Sequence, residues 1–537
     1  MPPLSIMLWL PAAFGLVGAL CSGALARRER LHGPARGRRG SWSVPGAAAL
    51  VGSLAAFGLA IGYLADYKSG GPSLQHVTDA VWISELGIHY KLAIDGLNIA
   101  LVAMATLIFS AAILACNLRR HARPNRVRLF YFQLTLAESA VLGAFLAQDL
   151  ALFVAFFDLM LIPFYFLAGA NWGPMTPDRP DRVRATIKLV VYTLVGSLLM
   201  LAAAIAAGAL TAQDGQHITF VLSTLQQHPL GGGTQDWIFL CFAAAFLVKM
   251  PAFPLHGWMP DGYRAMPIEV LMVFSGVLSK VGAYGFLAIV LPLFPHAAAH
   301  FQTLMLLIGL VSIVYGSAMA FSVKDARLIA GYSSVAQLGF ITLGIFALNP
   351  QGAQGALLQM VNHGLVVAPV LFIVGLLGRR AGGSEDIGDM GGMAVRAPVL
   401  ASLFLIVALA TLAIPGSSNF VGEFLILLGV FKAKLVIAII AFTGVVLASV
   451  YALRLFIRTM HNRVGAGVES REISLRDGAV LAPLVLVILA LALYPQLALH
   501  KSEQSVYRAV AASAFDSGHS PLTLFGSTGH KQTLVIK

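Results

Sequence analysis

Charge is what this sequence has least of. Only 11% of its 537 residues are Asp, Glu, Lys or Arg, against 58% hydrophobic, and its mean hydropathy is +0.81, whereas a soluble globular domain carries roughly 25% charged residues. A water-soluble fold is excluded, because so little polar surface requires lipid as the main solvent. Cysteine is almost as scarce. Cys21, Cys116 and Cys241 lie singly in apolar segments with no Cys-x-x-Cys spacing, so no cysteine-held iron–sulfur cluster or zinc ion is expected, and the chain is not expected to carry electrons. A Walker phosphate loop and a dinucleotide glycine fingerprint are both missing, which speaks against a nucleotide-binding enzyme. No basic region precedes the first apolar run, at about 4–26, and arginines follow it, so it reads as a retained span rather than a secretory signal. No resident cofactor or metal is expected.

The charge that is present is unevenly placed. The formal net charge of +12 would suggest nucleic acid in a soluble protein, but membrane topology explains it here and no nucleic-acid partner is expected. Apolar stretches of the roughly 20 residues needed to cross a bilayer recur at about 4–26, 45–65, 93–116, 130–148, 150–170, 187–209, 237–255, 266–293, 302–322, 328–347, 355–378, 398–430, 435–457 and 477–497. That makes about fourteen spans. Of the 36 lysines and arginines, 26 fall in the alternate loops 27–40, 117–129, 171–188, 256–265, 323–327, 379–397 and 454–476. Eight fall on the other side: Lys68, Lys91, Lys432, Lys434, Lys501, Arg508, Lys531 and Lys537. Cytoplasmic loops retain positive charge, so both termini are expected on the non-cytoplasmic side of the membrane. The Lys432/Lys434 loop is the one weak violation. The arginines at 27–40 read as an orientation signal in preference to a lipid-headgroup or partner site.

Two lysines are left over, and both are inside spans: Lys249 and Lys280. Each costs roughly 2.5–3.5 kcal/mol at a helix centre on the insertion scale. Three acids join them, Glu138 in LTLAESAVLGAF, Asp158 in FVAFFDLMLIPFYF and Glu423 in SNFVGEFLILLG, together with His363 in QMVNHGLVVAP. Glu138 or Asp158 could simply neutralise a lysine, and a single buried histidine is often a satisfied core residue. The set points further: lysine, carboxylate and imidazole groups can pass protons along water, a permanently charged arginine cannot easily do so, and the set contains no arginine. These residues are the candidate site.

Helix breakers accompany two of them. Lys249 is followed by Pro251 and Pro254, and Glu423 is preceded by Pro415 and Gly416; a proline inside a span frees carbonyls that must face protein or a hydrated cavity. The broken spans are the seventh and twelfth, each the fourth of a five-span block. Blocks with an odd number of spans insert in opposite orientations, as inverted repeats do. The expected organisation is all-α integral membrane, with three N-terminal spans at 1–129, a first repeat at 130–293, a second inverted repeat at 302–457, a last span with its loop at 458–497 and a polar tail at 498–537.

The stretches IDGLN (94–98), FFDLMLIPFYFLAG, VKMPAFPLHGWMPD, GVLSKVGAYGFL, IAGYSSVAQLGF, QMVNHG and SNFVGEFLILLG resemble the antiporter-like proton-translocating family of NADH:quinone oxidoreductase (respiratory complex I), the last favouring its M-type member. The resemblance implies fourteen helices, inverted five-helix repeats and broken helices 7 and 12. It also implies that Asp158 pairs with Lys249 and modulates its protonation, that Lys280 connects the two halves, that His363 relays protons, that Glu423 is the terminal acid near the exit, and that Glu138 has a supporting role. Neighbouring antiporter-like subunits and lipid would be the partners, with NADH and quinone reached only through other subunits. Asp158 stands where the family usually has Glu, so its contact with Lys249 is expected to lengthen or to need a water. Gln337 stands where many relatives have His, and Tyr263 and Ala265 where they often have His and Glu. A subunit of a multisubunit Na⁺/H⁺ antiporter, or the membrane subunit of an energy-converting hydrogenase, would share the same core residues, and a purely structural anchor is disfavoured by the buried lysines.

Overall fold

A computed structural model describes residues 1–32, 43–118, 124–170, 178–212, 217–465 and 467–518. Most of the Arg-rich loop expected at 27–40, and the tail beyond 518, lie outside the described residues. Among the described residues, twelve helices are long and apolar enough to cross a membrane. The two expected spans not among them are the seventh and twelfth, because both are interrupted: Gly232–Lys249 stops at the lysine, and Pro398–Thr411 is separated from Ser418–Ala433 by a non-helical stretch.

Burial separates the helices into an inner and an outer set. The apolar windows of Ala326–Phe346 and Pro350–Arg380 are 100% buried and that of Ile268–Leu293 is 94% buried, against 39% for Arg179–Thr211 and 33% for Leu475–Leu493. Lys280, Gln337 and His363 all ride on the three inner helices. The polar side chains are therefore kept from the lipid-facing surface by a layer of apolar helix.

Three features differ from the sequence expectation. Residues 93–98 do not begin the third span: Gln75–Ile83 and Ile88–Ile94 form an antiparallel hairpin, and the helix starts at Ile99. The turn between them explains IDGLN. The Asp95 carboxylate accepts from the N–H groups of Leu97 (2.9 Å) and Asn98 (2.8 Å), and the Asn98 amide donates to the carbonyls of Ala93 and Phe145, both at 3.0 Å. The polar tail, second, is structured as far as 518. Gln496–Asp516 is a helix that buries Val506, Ala509, Val510 and Ala514, and its Ser505 hydroxyl accepts from the Gly96 N–H at 3.1 Å. Third, the fifth span is also broken, into Leu150–Leu159 and Leu161–Gly169. Pro163 has no N–H to return to Leu159, which leaves the helix weakest beside Asp158.

Candidate functional site

The break after Lys249 follows from local chemistry. Pro251 cannot donate to the Leu247 carbonyl, so the Ala252 N–H takes that place at 3.0 Å, and the freed Val248 carbonyl accepts from the Trp258 indole N–H at 3.1 Å. The segment PAFPLHGW thus carries its own replacement donor. Lys249 is buried, 7% exposed, with its ammonium 4.4 Å from the centre of the Phe157 ring. A desolvated cation over an aromatic face gains about 2 kcal/mol. Asp158 follows Phe157 in sequence and lies close enough to interact with the lysine's charge, with Ser197 beside it. They do not touch: among the described residues no carboxylate makes an ion pair with Lys249 or Lys280. The shorter aspartate leaves the pair open, with Asp158 Oδ1 buried and without a hydrogen-bond partner.

Lys280 is fully buried, and a distortion of its own helix holds it. Phe274–Leu278 and Phe286–Val290 are π-helical turns on either side of Ser279–Gly285, and such turns release carbonyls from the helical ladder. The Ser275 carbonyl accepts from Lys280 Nζ at 2.7 Å and from the Ser279 hydroxyl at 2.9 Å, while Nζ also reaches the Ser279 Oγ at 3.2 Å. His363 lies within electrostatic reach of Lys280, buried to 3% exposure, with Nδ1 unpartnered. Gly364 makes that proximity possible: a Cβ there would stand 2.6 Å from the Gly276 carbonyl and 2.4 Å from the Met104 sulfur, so the two helices approach backbone to backbone.

Glu423 is held by amides. Gln337 Nε2 donates to Glu423 Oε1 at 2.9 Å, Gln359 Nε2 donates to Gln337 Oε1 at 2.7 Å, and the same Gln359 nitrogen reaches Glu423 Oε1 at 3.3 Å. This requires Ser418–Ala433 to press against Pro350–Arg380 at Gly355, where a Cβ would meet the Ile426 nitrogen at 2.6 Å. Beside His363 lies a cavity of about 30 Å³, room for one or two waters, with Ser333, Gln337, His363, Asn419 and Tyr451 on its wall. His363 Nδ1 and both amide atoms of Asn419, on that wall, are buried without hydrogen-bond partners in the protein, as is Oε2 of Glu423, whose other oxygen is bound by the wall residue Gln337. Such a set of orphaned polar atoms around an enclosed space is what ordered water satisfies.

Glu138 is fully buried elsewhere. Its Oε1 accepts from Ser53 at 2.9 Å, Ser53 shares a 2.9 Å hydrogen bond with Ser110, and Oε2 is unpartnered. No hydrogen bond among the described residues joins that cluster to either lysine. Sequence reasoning passed over Gln359, Asn419, Tyr451, Ser275 and Ser279, since a filter for ionisable residues ignores amides and hydroxyls. It also passed over His256, buried just beyond the Lys249 break with Nδ1 unpartnered and its ring 4.7 Å from Tyr315.

The family model described as NADH:quinone oxidoreductase/Mrp antiporter, TM, matches residues 147–448. NADH-quinone oxidoreductase subunit M of Rhodobacter capsulatus is 36% identical over 505 residues, covering 92% of this chain and 93% of that protein. The protein of the same name in Escherichia coli strain K12 is 36% identical over 448 residues, covering 83% and 87%. Among solved structures, a chain of respiratory complex I from Thermus thermophilus with bound NADH superposes with a TM-score of 0.81 at 30% identity, over 94% of this chain and 99% of that one. A chain of the Mrp complex from Dietzia sp. DQ12-45-1b shares the fold, with a TM-score of 0.76 at 20% identity, over 96% and 100%. With its inner helices, its two interrupted spans and these matches along most of its length, the chain belongs to the NADH:quinone oxidoreductase/Mrp antiporter transmembrane family.

Proposed function

We propose that this chain is a proton-translocating membrane-arm subunit of a bacterial NADH:quinone oxidoreductase, of the M type, with neighbouring antiporter-like subunits and lipid as its partners. The 36% identity to proteins of that name, with 30% for the complex I chain against 20% for the Mrp chain among solved structures, favours this reading over the antiporter alternative. The chain has no cysteine spacing suited to an electron carrier, so the redox chemistry belongs to other subunits and drives this one from outside. The interrupted seventh and twelfth spans support a count of fourteen with two inverted repeats at 130–293 and 302–457. The lysine and arginine distribution supports both termini on the non-cytoplasmic side.

The path we infer takes a proton from the cytoplasmic side to Lys249, on to Lys280, then through His363 and water in the adjoining cavity to Glu423, and releases it outside. The observation that carries it is Lys280, which among the described residues has no ion-pairing acid, is held by the Ser275 carbonyl and the Ser279 hydroxyl, and lies next to a histidine with a free ring nitrogen. An intramembrane ionisable group that faces the bundle interior is by default a mark of an ion or proton pathway. Approach and retreat of Asp158 provides the switch at Lys249. Glu138, apart from this path, keeps a supporting role.

The test is Lys249→Ala in the assembled complex, with NADH-driven proton uptake measured in inverted membrane vesicles. Loss of pumping with normal assembly is expected. Full pumping would overturn the assignment.

A further inference from the structure

We propose that Asp236, His296 and His300 form a binding site for a transition-metal dication of the zinc class, remote from the proton path. One ligand atom from each of the three residues lies within 4.8 Å of the others. His296 and His300 are four positions apart on the short helix Pro295–His300, which puts both rings on one face. Asp236 comes from the second turn of Gly232–Lys249, sixty residues earlier in the chain. A neutral imidazole pair with one carboxylate, leaving positions open to water, is a donor set for zinc, nickel or copper; the hard cations calcium and magnesium require oxygen ligands.

A simple histidine–aspartate ion pair accounts for only part of this arrangement. His300 Nδ1 meets Asp236 Oδ2 at 3.0 Å, and one histidine suffices for that contact. The second imidazole stands in the same group, and the other carboxylate oxygen, Asp236 Oδ1, is buried without a hydrogen-bond partner. Both rings are held in place by their surroundings. His300 stacks on Phe301 at 4.6 Å, and Phe301 stacks on the buried Phe239 at 5.4 Å. The His296 ring occupies the space above Gly232, where a Cβ would come within 2.8 Å of Nε2. The His296 backbone N–H donates to Gln235 Oε1 at 3.1 Å, and the Gln235 amide is tied in turn to the Leu230 carbonyl at 2.7 Å. Both histidines are exposed, so a dissolved cation can reach them. Asp236 stands thirteen residues before Lys249, about 20 Å along a helix rising 1.5 Å per residue. A bound metal would tie the start of the Lys249 helix to the segment that follows the Lys280 helix.

The purified whole complex, equilibrated with buffered free zinc and separated from it by gel filtration, reports zinc per complex by plasma mass spectrometry. The His296→Gln/His300→Gln double variant is expected to bind one zinc fewer per complex than the unaltered complex, and Asp236→Asn to bind that zinc at least 10-fold more weakly. Asp236→Asn preserves size, and it serves as the deciding variant if the double substitution disturbs assembly. None of the three residues lies on the proposed proton path, so NADH-driven pumping without zinc is expected to stay unchanged, which keeps this test separate from that of the path. Equal zinc content and affinity in the unaltered complex and in Asp236→Asn would overturn the proposal.

Discussion

Gln337→Leu isolates the amide link to Glu423. Leucine fills a similar volume and removes both bonds, the 2.9 Å donation to Glu423 Oε1 and the 2.7 Å acceptance from Gln359. Glu423 then keeps only the 3.3 Å contact from Gln359, which is long for an N–H···O bond. A hydrogen bond to a charged group is worth about 1.5–3 kcal/mol. At 1.36 kcal/mol per factor of ten, the step that leaves Glu423 ionised slows by about 10- to 150-fold. The assay is NADH-driven acidification of inverted vesicles, scaled to NADH oxidation and to the amount of assembled complex. Gln337→His restores a ring N–H at that position and is expected to recover most of the rate, so the pair of variants separates a lost donor from a disturbed helix. A leucine variant that assembles normally and pumps at the wild-type rate would refute the reasoning.

Lys280→Arg keeps the charge but cannot release a proton near neutral pH, so an assembled complex that does not pump is expected in the same vesicle assay. Glu385→Gln breaks the bidentate pair in which Arg327 Nη2 and Nε meet Glu385 at 2.5 and 2.8 Å; with the arginine side chain 5% exposed, the uncompensated charge costs about 3–5 kcal/mol, to be read as less complex on native gels and a lower melting temperature. Glu472 caps Pro398–Thr411 from another segment, accepting from Val399 N–H at 2.8 Å and Leu400 N–H at 3.1 Å. Burial works against its charge, but those N–H groups and that of Ile473 outweigh it and hold the carboxyl below its ordinary value. The cap's contribution is therefore present above the usual glutamate range and lost as pH falls through the lowered value, and Glu472→Gln at neutral pH should speed exchange of the Val399 and Leu400 amides about 5-fold, for a cap worth about 1 kcal/mol.

The spans were legible because lipid demands long uninterrupted apolar runs, and the two major breaks because proline cannot be hidden in them. The ionisable residues were legible for the same reason: Lys249 and Lys280 stand out when every other cation can be placed in a loop or in the tail. What escaped notice lacked that contrast. The hairpin at 75–94 carries strand-like alternation in HVTDAVWI and GIHYKLAI, but it falls in the stretch between two long apolar runs, which reads as a loop, and its last residues merge with the start of the third run. The helix Gln496–Asp516 buries only small and medium residues, such as Val506 and Ala509, so its composition reads as a tail. Gln359, Asn419 and Tyr451 cost little in a span and have no sequence contrast; Gln359 emerges only through its bonds to Gln337 and Glu423, and Asn419 and Tyr451 only as walls of a cavity. The π-helical turns around Lys280 depend on tertiary packing and have no local signature beyond nearby glycines. The Asp236–His296–His300 group has no sequence signature, because sixty residues separate its parts and no cysteine marks it.

The gap between Lys249 and Asp158 has a consequence for the kind of device this is. Two unit charges in contact at about 4 Å attract by roughly 4 kcal/mol at the effective dielectric suited to protein sites. A lysine closed on its acid would have to break that attraction before taking part in any transfer. Here the ammonium rests on the Phe157 ring instead, 4.4 Å from its centre, a contact worth about half as much. On the proposed path the difference, about 2 kcal/mol, would be the bias that movement of Asp158 applies, and it corresponds to a roughly thirtyfold change between two arrangements of one side chain. The proposed movement would use the break at Met160, two residues on from Asp158, where Pro163 supplies no N–H to the Leu159 carbonyl. The shorter acid and the extra break therefore belong together: a side chain that does not reach by its own length is carried on a backbone that can bend.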